Sequence, residues 1–266
     1  MNYHTILAVI NEHTGSTVAA RYAMALAESN GAKLVLYSAH VEGVDETITR
    51  HTDRHLDHLF DVALAHDIPV TRISETGMIA RLLPHRAQAE EADLVFYPLV
   101  PGEHYGAALQ RQTAHQLLRT VRADLAIMRI MHMGKPHPRR ILVPLGGVIR
   151  DGELWVKFLI ALAKAFQSQV TLFHRPAAGT EVVPNDFISL RNELLLQHLP
   201  VLERSGSGGI ARAIALEAVS HHNDLIVLGA SERSTLRRLL FGNPAGDVMH
   251  HPPCNAILFR PSRRVT

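Results

Sequence analysis

The sequence predicts an open α/β protein built as two domains, each a parallel sheet with helices on both faces. Three observations carry that prediction. The chain has 266 residues, 47% of them hydrophobic, enough for two ordinary cores. Its two halves are copies of one unit: "TILAVI" matches "RILVPL", "GMIAR" matches "GGIAR", "ADLVFY" matches "NDLIVL", and "LAIMR" matches "AILFR". Within each copy, short apolar runs rich in β-branched residues alternate with stretches of helical period, the pattern of parallel strands covered on both sides.

In the first copy the strands are "TILAVI", "KLVLYSA", "PVTRIS", "DLVFYP" and "DLAIMRI", separated by helices around Ser16–Ser29, Asp45–His66, Met78–Glu91 and Ala107–Val121. The second copy gives "RILVPL", "QVTLFH", "PVLERS", "DLIVLGA" and "NAILFR", with helices around Asp151–Gln167, Asp186–His198, Gly209–His222 and Pro244–His250. Between them "HMGKPHPRR" is rich in Pro and Gly and suits neither element, so the domains are expected at 1–134 and 138–266. The final strands "LAIMRI" and "NAILFR" are apolar and would form uncovered edges; the halves are therefore expected to pack as a pseudo-dimer through them.

Composition excludes several classes. With 27 Lys+Arg against 25 Asp+Glu, the net charge of +2 is too balanced for a nucleic-acid binder. The single cysteine, Cys254, lies in the apolar run "CNAILF" and reads as a small core residue, in a reducing compartment. The stretch "MNYHTILAVINEHTG" lacks the features of a secretory signal, and no window has the ~18 apolar residues of a membrane span. A cytoplasmic protein with no membrane partner is the expectation.

In an open parallel sheet, ligands collect at the carboxyl ends of the strands where the strand order reverses. In the second copy that edge is formed by "PLGGVIRDG" and "GASERSTLRRLLFGN". Gly229 and Gly242 bracket a polar loop with Arg233, Arg237 and Arg238, and Gly242 precedes a helix expected from Pro244, whose free N–H groups would suit an anion. Spacing alone equally allows Gly229 as a turn residue and the arginines as a solvated face.

The strand-ending "DLIVLG", the loop "RSTLRRLLFGN" and the terminal "HHPPCNAILFR" resemble the universal stress protein family in a tandem form, over nearly the whole chain. The resemblance implies a five-stranded flavodoxin-like sandwich in each half, pairing of domains through their last strands, a homodimer, and in one subclass ATP binding through G-x-x-G-x₉-G-[S/T]. Carried onto this chain, the motif starts at Gly229 and ends at Gly242 and Asn243. Glu232 stands where its second glycine belongs and Asn243 where its Ser or Thr belongs. An amide still donates to a phosphate, whereas Glu232 brings a Cβ and a negative charge. The acidic residue that ends the family's first strand is replaced by Gly146 in the second copy and Asn11 in the first. The first copy has Pro98 and Arg111 near the glycine positions, so its site reads as degenerate. The expected cofactor-binding residues are Gly146, Gly229, Arg233, Gly242 and Asn243, and the expected ligand is ATP or another adenine nucleotide, with Mg²⁺ as a possible companion.

Rival chemistries have little support. Neither G-x-G-x-x-G nor G-x-x-x-x-G-K-[ST] is present, and Arg233 breaks the G-x-S-x-G pattern around Ser231, leaving a loop serine. His51, His55 and His58 fall on one helix face beside Asp53 and Asp57, where His51 and His55 are spaced to share a metal; without orienting partners a solvated face is the default, and no metal is expected. His221, His222, His250 and His251 lie at helix ends, where imidazolium suits the dipole. No catalytic residue is assigned. The reading is a stress-response sensor or regulator that binds an adenine nucleotide weakly in its second domain, with at most slow ATP hydrolysis. The alternative is a nucleotide-independent protein-interaction module of the same fold.

Overall fold

A computed structural model of the chain describes residues 2–43, 45–99, 104–133, 137–145, 151–174, 185–229, 248–249 and 252–262, with side chains of the fourth helix from residue 111 onward. It divides into two compact units: Met1–Pro136 with Arg260–Thr266, and His137–Phe259.

The first unit runs β1 (Thr5–Val9), α1 (Thr14–Asn30), β2 (Lys33–His40), α2 (Glu46–Ala65), β3 (Val70–Thr76), α3 (Ile79–Ala89), β4 (Leu94–Leu99), α4 (His104–Thr120) and β5 (Asp124–Arg129). Its strands lie in the order β3-β2-β1-β4-β5, and each neighbouring pair is parallel. The second runs β6 (Arg140–Leu145), α5 (Gly152–Phe166), β7 (Gln169–His174), α6 (Asn185–Leu196), β8 (Val201–Ser205), α7 (Ile210–Ser220), β9 (Leu225–Gly229) and β10 (Asn255–Arg260). Its order, β8-β7-β6-β9-β10, repeats the first, again in parallel. This is the flavodoxin-like fold expected of each half. The expected helix over Pro244–His250 lies outside the described residues except for Val248 and Met249, which are helical.

Burial follows position in the sheet. The inner strand β4 is buried at every residue, while the edge strand β3 has no fully buried residue and β8 is exposed beyond its first residue. Helix α1 is buried along most of its length by small residues, Gly15, Ser16, Ala19, Ala20, Ala23 and Ala27 among them, which lets its backbone lie close over the sheet. It stops at Gly31, whose φ of 63° closes the helix by donating to Ala27 O and Glu28 O. Asp45 caps α2 by accepting from Thr47 N at 2.7 Å.

The repeat is visible in hydrogen bonds. Asp93 accepts from the backbone of His4 and Thr5, and its counterpart Asp224 accepts from Arg139 and Arg140, so in each unit the residue just before the fourth strand pins the start of the first. Pro84 interrupts α3 and leaves Ala80 O without its helical donor; Gln116 of α4 donates to that carbonyl at 3.4 Å.

The last residues of the chain belong to the first unit. Arg260 is 2% exposed, and its Nη2 donates to Val121 O and Ala123 O, both at 2.8 Å. Ser262 N donates to Asp124 Oδ1 at 2.6 Å while Tyr3 Oη donates to Asp124 Oδ2 at 2.8 Å. Burial, and then the Asp124 charge, push the Tyr3 phenol well above its usual range, so it stays a donor. Among the described residues no helix is long and apolar enough to cross a membrane.

Candidate functional site

The strand order reverses between β6 and β9 in the second unit. These strands are in register only at Ile141↔Leu225 and Leu142↔Ile226, whereas β9 continues with β10 as far as Gly229↔Phe259. The carboxyl ends of β6 and β9 therefore part, and Gly229 stands exposed at the lip of the opening. The βαβ connection places the start of α5 at the same edge. Asp151 precedes it in the left-handed region, φ 52° and ψ 45°, and its carbonyl accepts from Leu154 N and Trp155 N. For a residue with a Cβ that conformation costs about 1–2 kcal/mol.

Gly229 is glycine for a reason the sequence did not suggest. It is the last residue of a regular strand, with no left-handed φ. A Cβ placed on it would lie 2.8 Å from Trp155 Cζ2, closer than real contacts allow. Trp155 is 6% exposed and packs edge-on against Phe259 with ring centroids 5.4 Å apart; Phe259 in turn stacks on Phe158 at 4.1 Å. The missing Cβ of Gly229 makes room for the indole. The other expected site residues, Gly146, Arg233, Gly242 and Asn243, lie outside the described residues, as do Glu232 and Ser231.

In the first unit β1 and β4 part in the same way, their register running from Ile6↔Leu94 to Ala8↔Phe96. Pro98, the counterpart of Gly229, sits beyond that point and is aligned only with Met128 of β5, so its lack of an N–H is tolerated. The loop after β1 is held by its own bonds. Ser16 Oγ donates to Asn11 O or His13 O at 3.1 and 2.8 Å, Asn11 N donates to Ser16 Oγ, and His13 N donates to Asn11 Oδ1. The Asn11 side chain thus holds its own loop.

The three histidines of α2 separate in role. The buried stripe of the helix is Thr52, Leu56, Leu59 and Ala63. His51 and His58 are exposed, whereas His55 is half-buried and its Nδ1 lies 3.0 Å from Asn11 O, which makes it a donor to that carbonyl. Among the described residues no three His, Cys, Asp or Glu side chains are grouped to hold a metal. His221 caps α7 and pairs with Glu217 at 2.9 Å, and Cys254 is buried.

Residues 137–260 match the model of the universal stress protein family. The second half of the chain is a universal stress protein domain. The structure is similar over its whole length to a universal stress protein from Archaeoglobus fulgidus (12% identity, 97% of this chain and 96% of that one, TM-score 0.67). It is also similar to a putative universal stress protein from Pseudomonas aeruginosa (15% identity, 97% and 94%, TM-score 0.66). The cytoplasmic domain of a prokaryotic cation chloride cotransporter has the same fold (11% identity, 97% and 95%, TM-score 0.62), so the tandem arrangement of elements by itself names no function. No curated protein matches the sequence.

Two residues of this fold escaped the sequence reading. Trp155 sits in what looks like an ordinary apolar helix face, and its contact with Gly229 appears only once α5 and β9 are packed. Arg129 closes "LAIMR" as Arg260 closes "AILFR", and that equivalence was the one signal available.

Proposed function

We propose that this protein is a cytoplasmic stress-response sensor or regulator that binds an adenine nucleotide, ATP, ADP or AMP, weakly in its second domain, with Mg²⁺ accompanying the phosphates. The observation that carries the reading is that the universal stress protein match spans 137–260 and so includes the parted ends of β6 and β9 with Gly229 at the lip. In this reading Gly242, Asn243 and Arg233, with the start of α5 after β6, supply donors and positive potential for phosphate. Glu232 opposes it by charge, which sets the affinity below that of a complete motif.

A second reading, a nucleotide-independent interaction module, is favoured by a different observation. Leu216 and Val219 of α7 are 56% and 59% exposed, one turn apart on the same helix, where the first copy has His85 and Gln88.

Thermal denaturation with each nucleotide, with and without Mg²⁺, separates the two. Ligand binding to the native state contributes RT ln(1 + [L]/Kd), about 2.7 kcal/mol at a hundredfold excess over Kd. The nucleotide reading expects Tm to rise, and to rise further in Glu232→Gly. If neither protein shifts at millimolar nucleotide, the interaction module takes over.

A further inference from the structure

We propose that Trp155 is a positioning residue of the second domain: its indole fixes the end of β9, from which the glycine loop departs at Gly229, and thereby sets the affinity of that loop for its ligand. The choice of ATP as the ligand rests on the nucleotide reading; the hold of the indole on β9 does not.

Backbone pairing alone holds the end of β9 on one side only. Its register with β6 stops at Leu142↔Ile226, three residues before Gly229, and from there the strand pairs with β10 alone. What it loses at β6 is supplied from α5. Trp155 lies in the first turn of that helix, where its N–H donates to Asp151 O at 3.2 Å. Its ring meets Phe259 edge-on, and Phe259 is aligned with Gly229, so the two residues face the same side of the sheet. Phe158, the next turn of α5, stacks on the Phe259 ring at 4.1 Å. The indole fills the space left over Gly229, with Cζ2 2.8 Å from the place of an absent Cβ. One buried side chain therefore ties the start of α5 to the end of β9.

The first unit shows that the fold does not require this indole. The bonds that close α1 and α5, Ala32 N to Ala27 O and Ser168 N to Ala163 O, both 2.9 Å, are equivalent and set Trp155 on Ala19. Gly229 falls on Pro98, each being aligned with the penultimate residue of the last strand, Phe259 and Met128. The first copy thus has Ala19 and Pro98 where the second has Trp155 and Gly229, and Ala19 is 1% exposed, so the smaller residue packs fully there. The large aromatic side chain occurs in the copy whose loop keeps Gly229 and Gly242.

Calorimetric titration of the full chain with ATP and Mg²⁺, made well below Tm so that parent and variants are all folded, separates positioning from a merely structural role, which would lower Tm and leave Kd alone. Trp155→Leu is expected to bind at least about tenfold more weakly. Trp155→Phe, which keeps an aromatic ring, should recover part of the loss. Because Trp155 is the one tryptophan of the chain, its emission in the parent should follow the same saturation curve, and in Gly242→Asp it should not respond. Without nucleotide, hydrogen exchange over residues 225–229 of β9 should speed up in Trp155→Leu, while that over 201–205 of β8 should not. ATP binding of unchanged affinity in both variants would overturn the proposal and leave the nucleotide reading standing, and so would unchanged exchange over 225–229. A parent that binds no ATP at millimolar concentration, with exchange over 225–229 raised in Trp155→Leu, would remove the nucleotide and support the hold of the indole on β9. If Trp155→Leu fails to fold, Trp155→Phe decides on the same readouts.

Discussion

Trp155 Cζ2 lies 2.8 Å from the point where a Cβ on Gly229 would stand, so the first glycine of the loop is coupled to a buried indole. Gly229→Ala should cost about 1–3 kcal/mol through overpacking, with no nucleotide present. Trp155→Phe trims the side chain at that contact, so the same glycine substitution should cost less in its background. Urea unfolding of the four proteins in this double-mutant cycle measures the coupling. Equal cost of Gly229→Ala with and without the indole would show that the glycine serves something else.

Arg260 is a buried cation held by the carbonyls of Val121 and Ala123. Arg260→Ala removes the donor from the buried Val121 O and from the part-buried Ala123 O, and an orphaned buried acceptor costs about 1–3 kcal/mol. Arg260→Lys should recover only part, because an ammonium lacks the planar fork. Urea midpoints for the two variants check the order; a lysine variant as stable as the parent would contradict it.

A charged chain on the outer side of the first sheet gives a pH dependence with a definite sign. Glu75 accepts from Arg86 and from Tyr37 Oη, the latter at 2.7 Å, and these bonds, Arg86 first, hold its carboxyl below the usual range against some burial. A depressed folded-state pKa contributes stability that is present above the unfolded value and lost as pH falls through the folded one. The stability gap between the parent and Glu75→Gln should therefore shrink as the solution goes from about pH 6 to about pH 3. A gap that stays constant or widens would remove Glu75 from the account.

The α2 histidines should not form a metal centre. His55 directs Nδ1 to Asn11 O while His51 and His58 face solvent, and nothing around them fixes a ligand set. Protein purified without an affinity tag should carry no stoichiometric metal. Finding one, and losing it in His55→Ala, would contradict this.

Much of the fold was legible because its signals are local and repeated. The apolar runs that give β1, β4, β6 and β9 are short and bounded, and the equivalence of Asp93 with Asp224 carries the same anchoring bond in both units. Strand ends were less legible, since β2 and β3 run on to His40 and Thr76, polar residues whose place in the sheet depends on backbone pairing. At the candidate site, spacing singled out Gly229 but could not show its contact with Trp155, because the indole that excludes a Cβ is 74 positions away in sequence.

The account's central claim is that the second domain binds an adenine nucleotide through the loop that ends at Gly242 and Asn243. Calorimetric titration of ATP with Mg²⁺ into the full chain, beside Gly242→Asp, tests it most directly. A saturable isotherm for the parent, abolished in Gly242→Asp, is the predicted result. No heat of binding to the parent at millimolar ATP, or an affinity unchanged by Gly242→Asp, would contradict it.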